Sequence, residues 1–413
     1  MGKDYYNYEI PKYYTEQANN VNCIIMADLH WGAIDPDEYW CEILDGILSY
    51  LDNLSAEERL DYIIIAGDLF DTKEMFSSYV TKKVIDFVHY LLMYCMDSRW
   101  STKVIMLEGT RTHDNFQPEM IQHIFSKEIW IEDRIEVYNT VASIKTDNGA
   151  SILFIPEEYI SDQESYYAKY FKPGIHYDLI VGHGMIDKIW YAKKDNDALN
   201  ELTKHMSAPV FKVDELLEHC TRCYFGHVHM NKSYGDGGRF SYIGPYSNWE
   251  FGKSTKVGFY HVKINTKTGE VTDTYIENTN AKNYPTVAMK ISDNMSLTEL
   301  NDRVDTIIAN VYATTSNVGK VRLIVVLSQT IETWQTMKDF LVSKCGDMPN
   351  LKFVLQLEED NSNEDTTTDD EEKSSKKYLF DHSIDITHRI QTFIRNKSGR
   401  DIPIETIEKY LNS

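Results

Sequence analysis

Apolar runs of strand length recur along this chain, and a short polar cluster directly follows five of them. The runs IIM, YIII, KVIML, LIV and CYF have the length and the β-branched or aromatic content of buried strands. Each run is followed by His or Asp, in the segments ADLH, AGDLFD, GTRTHD, VGHG and FGHVH. Because ligands of α/β sheets bind at the carboxyl ends of the strands, this pattern predicts one polar rim.

Further periodicity predicts a large first unit over residues 1–280. Strand patterns recur at 151–157, 240–246, 256–264 and 270–277, and helical patterns recur at 36–51, 73–96 and 196–219. Alternating strands and helices, followed by more strands, predict an α/β fold in which helices flank two packed sheets.

The rest of the chain has a different pattern. Residues 283–357 predict a compact β-α-β-α-β module, and a capping box, SLTE, begins its first helix. Residues 358–377 are acidic and predict a solvated linker. Residues 378–413 predict two short amphipathic helices, which are too small to bury their apolar faces by themselves. These helices must dock on the body of the protein or on a partner.

The formal net charge of −22 disfavours a stand-alone nucleic-acid binder, which is usually basic. Any contact with DNA would have to be local, carried by bound cations or supplied by a partner. The sequence has no apolar stretch of about 18 residues and no apolar leader, so we expect a cytoplasmic protein with no membrane contact. Six scattered Cys residues predict reduced thiols, although Cys220 and Cys223 form a C-x-x-C that leaves zinc or redox chemistry as an alternative.

His and Asp side chains gathered on one rim are what hydrolysis with two metal ions requires. Two cations about 4 Å apart activate water and neutralise the charge on a phosphate, and they need a bridging carboxylate. We assign the first cation to Asp28, His30, Asp68 and His229, and the second to Asp68, His183 and His227. The two polar side chains of D-x-H or H-x-H would point the same way on an extended backbone. Mixed nitrogen and oxygen ligands suit Mn²⁺, Fe or Zn²⁺ better than Ca²⁺ or Mg²⁺.

Two further residues are assigned to proton transfer. His113 lies off the predicted metals and is the candidate general acid for the leaving oxygen, oriented by Asp114. Asp71 is expected either to hydrogen-bond to a metal-binding side chain or to bind metal itself. Taken singly, each motif is more simply a capped loop after a strand. All five motifs in this order, each after an apolar run, favour a metal site.

The order of the motifs resembles the calcineurin-like metallophosphoesterases, whose pattern is D-x-H, G-D-x-x-D, G-N-H-D/E, G-H and G-H-x-H. Here the pattern spans residues 23–230. Within that superfamily, the chain is most similar to the SbcD-type nuclease subunit of the DNA double-strand-break repair complex. AGDLFD at 66–71 is the typical spelling of that branch, and a small domain followed by C-terminal helices is its typical layout.

This resemblance implies a four-layer αββα sandwich, a small α/β capping domain at 283–357 and C-terminal helices. It implies DNA exonuclease and endonuclease activity with two Mn²⁺ ions, for which Mg²⁺, Fe or Zn²⁺ are alternatives. It also implies a homodimer and a partner, a coiled-coil ATPase of the SbcC type, which would bind helices such as those at 378–413. The acidic, tyrosine-rich composition suits a phage or a firmicute origin.

One motif departs from the family pattern. The family's Asn, whose amide oxygen binds the second metal, is absent from GTRTHD, where Thr112 precedes His113. Alignment on His113 and Asp114 leaves two extra residues in this loop. The second metal could bind more weakly, take an additional water or recruit Asn115. Arg111 could contact a phosphate oxygen, and an exposed Arg without such a contact is the alternative.

Three functions remain open at this point. They are a DNA nuclease subunit, another phosphatase or phosphodiesterase on the same scaffold, and a non-catalytic repair subunit whose metal site has decayed. The presence of the expected His residues argues against decay: His113, His183, His227 and His229. Lys232 and Arg239 flank a glycine-rich loop and could touch a DNA backbone, although a solvated hairpin explains them as well.

Overall fold

The computed structural model describes most of the chain up to residue 357. The described ranges are 19–55, 58–75, 78–97, 102–127, 133–190, 209–252, 256–291, 295–327, 334–348 and 350–357. The predicted linker at 358–377 and the predicted helices at 378–413 lie outside the described residues. The first part of the helix predicted at 196–219 also lies outside them.

The strands are β1 Asn20–Met26, β2 Tyr62–Ala66, β3 Lys103–Leu107, β4 Ile135–Tyr138, β5 Ala142–Lys145, β6 Ser151–Ile155, β7 Tyr177–His183, β8 Met185–Ile186, β9 Val210–Phe211, β10 Cys220–Gly226, β11 Lys232–Tyr234, β12 Phe240–Tyr242, β13 Gly258–Asn265, β14 Glu270–Glu277, β15 Thr286–Ile291, β16 Val321–Leu327 and β17 Leu351–Leu357. The α-helices are α1 Pro36–Ile43, α2 Ser49–Asp52, α3 Tyr79–Asp97, α4 Gln117–Phe125, α5 Gln163–Ala168, α6 Asp187–Trp190, α7 Val213–Glu218, α8 Leu297–Thr314 and α9 Trp334–Asp347. A π-helical turn, Leu44–Leu48, joins α1 to α2.

Two six-stranded sheets pack face to face, in the orders β14-β13-β1-β2-β3-β4 and β11-β12-β10-β7-β6-β5. Successive residues of a strand point to opposite faces of its sheet. In β1, Ile25 packs between the sheets, whereas Ile24 packs against the outer helices α1, α3 and α4. In β6, Phe154 packs between the sheets and Leu153 packs against α5 and α7. The layers are therefore helix, sheet, sheet and helix, which confirms the predicted α/β sandwich.

Parallel strands carry the polar clusters. Strands β1, β2, β3 and β4 are parallel neighbours in the first sheet, and β6, β7, β10 and β12 are parallel neighbours in the second. The motif residues follow β1, β2, β3 and β10, and His183 ends β7. Because the strands of each set run in the same direction, their polar ends share one edge of each sheet.

A third sheet lies further along the chain. Strands β15, β16 and β17 are parallel, and their core includes Leu300 of α8 and Leu341 of α9. Helix α8 begins with Ser296 as its N-cap, whose hydroxyl accepts a hydrogen bond from the Glu299 backbone N–H at 3.2 Å. The guanidinium of Arg322 in β16 lies 4.3 Å from the ring centroid of Phe251 in the first unit. The domain boundaries and the capping function remain predictions.

Two smaller expectations concern the membrane and the thiols. Across the described ranges, the structure has no helix with both the length and the apolar character needed to cross a bilayer. Cys220 and Cys223 are free thiols buried in β10.

Candidate metal centre

The polar rim is built from tight turns at the ends of strands. Asp28, His30 and Asp68 have left-handed φ values of 50°, 45° and 52°, and His227 has a φ of 90°. Such angles are costly for residues other than glycine and persist only where the surrounding structure enforces them. They correct the expectation of an extended D-x-H backbone, because the side chains converge through turns instead. The two His side chains of the H-x-H segment enter different clusters.

The first cluster contains Asp28, His30, Asp68 and His229, whose ligand atoms all lie within 4.8 Å of one another. The Nε2 atoms of His30 and His229 are 2.9 Å apart. His30 Nε2 also lies 3.6 Å from Asp68 Oδ2. The structure thus brings together the four residues that the sequence assigned to the first cation.

Carboxylates stand behind both imidazoles of this cluster. His229 Nδ1 lies 3.1 Å from Glu250 Oε1, and His30 Nδ1 lies 3.4 Å from Asp71 Oδ1. An imidazole whose Nδ1 proton faces a carboxylate presents its lone pair at Nε2, as metal-binding His residues do. The indole of Trp249 packs on the rings of His30 and His229, with centroid separations of 4.6 and 5.1 Å.

The second cluster contains Glu157, His183 and His227. His183 Nδ1 donates a hydrogen bond to the Ala66 carbonyl oxygen at 2.8 Å, which leaves Nε2 free to bind a ligand. That Nε2 lies 3.6 Å from Glu157 Oε2 and 3.3 Å from Asp68 Oδ2. His227 Nδ1 lies 3.0 Å from Glu157 Oε2. Asp68 Oδ2 therefore faces both clusters.

Thr110 lies between the two clusters. Its backbone N–H donates to Asp68 Oδ1 at 2.6 Å. Its hydroxyl is 3.2 to 3.4 Å from four atoms, Asp68 Oδ2, Glu157 Oε2, His183 Nε2 and His227 Nδ1. This geometry corrects the assignment of Thr112 to the position of the family's Asn, because Thr112 is exposed and Thr110 directly follows Gly109. Asn115 lies in the turn before α4, with a φ of 43°.

Asp114 is wholly buried and organises the backbone of the rim. Its carboxylate accepts hydrogen bonds from the N–H groups of Asp68 at 3.0 Å, Gly109 at 2.8 Å and Phe70 at 3.0 Å. These bonds tie the turn after β2 to the turn after β3. They correct the prediction that Asp114 orients His113, since His113 Nδ1 hydrogen-bonds to the carbonyl oxygen of Asp71 instead.

His113 stands at the edge of the first cluster, where its ring centroid is 4.7 Å from that of His30. Because Nδ1 faces the Asp71 carbonyl, Nε2 is the nitrogen left to exchange a proton with a substrate. A cleft of about 180 Å³ opens beside the second cluster, and its walls include Gly109, Arg111, Phe116, Glu157 and Tyr159. The guanidinium of Arg111 lies 4.9 Å from the ring centroid of Tyr159.

The other two predicted DNA contacts lie in the hairpin at β11 and β12. Arg239 Nη1 donates to the carbonyl oxygens of Leu217 at 3.2 Å and Cys220 at 3.0 Å. Lys232 Nζ lies 5.2 Å from the ring centroid of Tyr234. The hydrogen bonds of Arg239 give it a structural function in anchoring this hairpin to β10.

Burial and ion pairing oppose each other within the rim. Burial alone would lower the pKa of His183, but the Asp68 carboxylate raises that pKa well above its usual range. Burial would raise the pKa of Asp68, but the His183 charge holds it below its ordinary value. Burial, together with the charges of Asp68 and Glu108, raises the pKa of Asp114. Because metals bind neutral imidazole, cation binding must displace protons from this rim.

The ligand atoms fit divalent cations. Asp28 Oδ2 is buried, and among the described residues no hydrogen-bond donor reaches it. A buried carboxylate oxygen in that state is costly unless a cation or a proton satisfies it. Imidazole nitrogens combined with carboxylate oxygens are suitable ligands for Mn²⁺, Fe and Zn²⁺. The two clusters can therefore hold one cation each, with Asp68 between them.

Two glycines allow the turns to approach His183 closely. A Cβ atom on Gly67, whose φ is 84°, would lie 2.2 Å from His183 Nδ1. A Cβ atom on Gly226 would lie 2.7 Å from the same nitrogen and 2.6 Å from the Ala66 carbonyl oxygen. Any larger residue at either position would clash with the His183 ring.

The sequence reasoning missed Thr110, Glu157, Trp249 and Glu250. Glu157 did carry a signal, because it follows the apolar run SILFI of β6 after a single Pro, much as the other clusters follow their strands. Thr110 was missed because the motif was aligned on His113, which put Thr112 at the position of the family's Asn. Alignment on Gly109 puts Thr110 there instead. Trp249 and Glu250 lie within the loop between β12 and β13 and do not directly follow a strand.

Comparison with known families accounts for this arrangement. The calcineurin-like phosphoesterase family matches residues 22–231, just over half of the 413 residues. A search of curated proteins finds no match. Members of the matching family use divalent metal ions, and the two clusters within the matched span supply candidate ligands for such ions. The chain belongs to the calcineurin-like phosphoesterase family.

Proposed function

We propose that this chain is a DNA nuclease that hydrolyses phosphodiester bonds at DNA ends, as the nuclease subunit of an SbcCD-like complex. The observation that carries the proposal is the position of Asp68, whose Oδ2 lies 3.6 Å from His30 Nε2 and 3.3 Å from His183 Nε2. One carboxylate that faces two sets of imidazoles is suited to bridge two cations. Mn²⁺ is the proposed metal, with Mg²⁺, Fe and Zn²⁺ as alternatives.

The residues around the clusters have separable functions in this reaction. Bound divalent cations would lower the pKa of a water molecule and offset the charge of the phosphate. His113 Nε2 donates a proton to the leaving oxygen, while the Asp71 carbonyl holds Nδ1 and fixes the ring. Asp114 holds the turn that carries Asp68. Arg111, at the wall of the cleft, can donate two hydrogen bonds to a phosphate.

Three sequence features support DNA as the substrate and an ATPase as the partner. AGDLFD at 66–71 is typical of SbcD-type subunits, and the strand and helix pattern of 283–357 follows the phosphoesterase region as it does in that branch. The amphipathic patterns at 378–413 offer a dock for a coiled-coil ATPase of the SbcC type. A net charge of −22 makes a basic partner useful for holding DNA. A homodimer, a cytoplasmic location and a phage origin belong to the same proposal.

Substrate preference tests this proposal. Cleavage of end-labelled linear duplex DNA is compared with hydrolysis of p-nitrophenyl phosphate, in Mn²⁺ and in EDTA. We expect Mn²⁺-dependent cleavage of DNA, slow hydrolysis of the monoester, and loss of both activities in Asp68→Asn. Rapid monoester hydrolysis with intact DNA would indicate a phosphatase instead. Fewer than one bound metal ion per chain, by elemental analysis, would indicate a decayed site.

Truncation tests the partner. A variant that ends at residue 360 should keep Mn²⁺-dependent nuclease activity, because the described ligands all precede that residue. It should no longer co-purify with a co-expressed coiled-coil ATPase from the same genome, whereas the full chain should. Persistent co-purification would refute the docking function of residues 378–413.

A further inference from the structure

We propose that Glu157 is a ligand of the second cation and that its carboxylate replaces the amide oxygen of the family pattern. This inference rests on the two-cation site of the proposed function. Glu157 is absent from the five motifs, and it reaches the cluster from the end of β6. It would make the second cation site of this chain different in charge from that of the family pattern.

The geometry places the Glu157 carboxylate among the other ligands. Oε2 lies 3.0 Å from His227 Nδ1 and 3.6 Å from His183 Nε2. The side chain is 1% exposed, so water cannot solvate the charge. A carboxylate buried to this degree needs a positive partner. Both His residues with which it shares the cluster are already candidate ligands of the second cation.

The Thr110 hydroxyl cannot provide that partner. It lies 3.2 Å from Glu157 Oε2 and 3.3 Å from Asp68 Oδ2, and two imidazole nitrogens are at similar distances. A hydroxyl has one proton, so it can satisfy only one of these acceptors at a time. The side chain of Thr is also shorter than that of Asn. The space and the coordination position that an amide would occupy are therefore open to the Glu157 carboxylate.

The two oxygens of Glu157 have different surroundings. Oε1 accepts a hydrogen bond from the Tyr159 hydroxyl at 2.7 Å, and the Arg111 guanidinium stacks on the Tyr159 ring. The Glu157 backbone N–H donates to the Glu108 carbonyl oxygen at 3.0 Å. The carboxylate is thus anchored through Oε1 and through its backbone, and Oε2 faces the cluster. This arrangement is typical of a carboxylate that binds metal with one oxygen and is oriented through the other.

The charges of the two sites become equal under this assignment. The first cation would have Asp28 and a share of Asp68, and the second would have Glu157 and a share of Asp68. With a neutral amide in place of Glu157, the second site would have Asp68 alone. We therefore expect the second site to attract a divalent cation more strongly than a site with a neutral amide in place of Glu157 would.

The competing explanation is a hydrogen-bonded pair without metal, in which His227 Nδ1–H donates to Glu157. Isothermal titration with Mn²⁺ separates the two. The wild type should bind two ions per chain. Glu157→Ala, which has no ligand atom at this position, should keep the first ion and bind the second at least about 100-fold more weakly, the upper limit of the loss seen when only a supporting group is removed. A loss of less than about 100-fold, which removal of a supporting group alone would give, would overturn the proposal.

Glu158→Ala is the matched control. Glu158 is the next residue, and it accepts hydrogen bonds from the Tyr166 hydroxyl at 2.9 Å and the Val141 N–H at 3.2 Å, away from the clusters. The control variant should bind both ions as the wild type does. A 100-fold loss of affinity for the second ion in this variant too would overturn the proposal.

The wild type provides a second measurement should Glu157→Ala fail to fold. In crystals grown with Mn²⁺, the anomalous peak nearest His183 and His227 should lie within about 2.5 Å of Glu157 Oε2. A peak more than about 3.5 Å away, or none, would overturn the assignment. Intact DNA in the cleavage assay, combined with this peak, would instead refute the nuclease function and leave the ligand in place.

Discussion

His30 and His229 face each other through their Nε2 atoms, which are 2.9 Å apart. Each ring has a carboxylate oxygen at its other nitrogen, at 3.4 Å from His30 and 3.1 Å from His229. Two lone pairs at this separation repel unless a proton or a cation lies between them. Two nitrogen ligands about 2.1 Å from one cation, at a right angle, are about 3 Å apart. The two rings therefore have the spacing of neighbouring ligands on one cation.

Replacement of His113 should separate proton transfer from metal binding. In His113→Gln, we expect DNA cleavage to fall about 10²- to 10⁴-fold, because no group then protonates the leaving oxygen. The Mn²⁺ content should stay at the wild-type value, since both clusters keep their ligands. Rate measurements at saturating Mn²⁺, together with elemental analysis, check both parts. Cleavage at the wild-type rate would exclude His113 as the general acid.

Replacement of the buried Asp114 should lower the stability of the fold more than the same replacement at an exposed position does. In Asp114→Asn, the side chain has one acceptor oxygen in place of two, so at least one of the three buried N–H groups would face the amide Nδ2 and lose its acceptor. We expect the free energy of unfolding to fall by about 1–3 kcal/mol in urea denaturation without metal. The exposed Asp147→Asn is the control and should change it by less than about 0.5 kcal/mol. Equal stabilities of the two variants would contradict this function of Asp114.

Asp61, away from the rim, predicts a pH dependence of stability. Burial raises the pKa of Asp61 from its ordinary value of 3.8 to about 6, although its carboxylate accepts a hydrogen bond from the Asn22 N–H. Between these pH values the folded protein binds more protons than the unfolded chain, so stability falls as the pH rises. Above pH 6, Asp61→Asn should therefore gain about 3 kcal/mol over the wild type, relative to their difference at pH 3.5.

Urea denaturation of both proteins without metal, across this pH range, gives the comparison. The difference between the two curves cancels the titration of the other groups. A stability difference that does not change with pH would show that the proton on Asp61 is not linked to folding.

Tyr159 should tune the second cation without removing it. In Tyr159→Phe, the hydrogen bond to Glu157 Oε1 is lost while the ring beneath Arg111 is kept. We expect the second Mn²⁺ to bind about tenfold more weakly and the first to bind as before, because a supporting partner is removed and not a ligand. Titration calorimetry measures both affinities. A loss of affinity confined to the first ion would contradict the assignment of Glu157 to the second cation.

The sequence was most informative where a strand end and a polar side chain coincide. The runs before Asp28, Asp68 and His183 could be recognised as buried strands because both faces of each strand pack in cores. Glu157 obeys the same rule, but its function depends on His183 and His227, which lie at the ends of other strands of the same sheet and cannot be inferred from its own strand. The left-handed turn at His30 and the hydrogen bonds of Asp114 depend on contacts between turns that lie far apart in the sequence. Local pattern does not contain that information.

The most direct test of the account is the magnetic coupling between bound Mn²⁺ ions. The central claim is that Asp68 Oδ2, 3.3 Å from His183 Nε2 and 3.6 Å from His30 Nε2, joins two cations. Electron paramagnetic resonance of the wild type with two equivalents of Mn²⁺ should show an exchange-coupled pair, and Asp68→Asn should not. Two independent, uncoupled Mn²⁺ signals in the wild type at full occupancy would contradict the account.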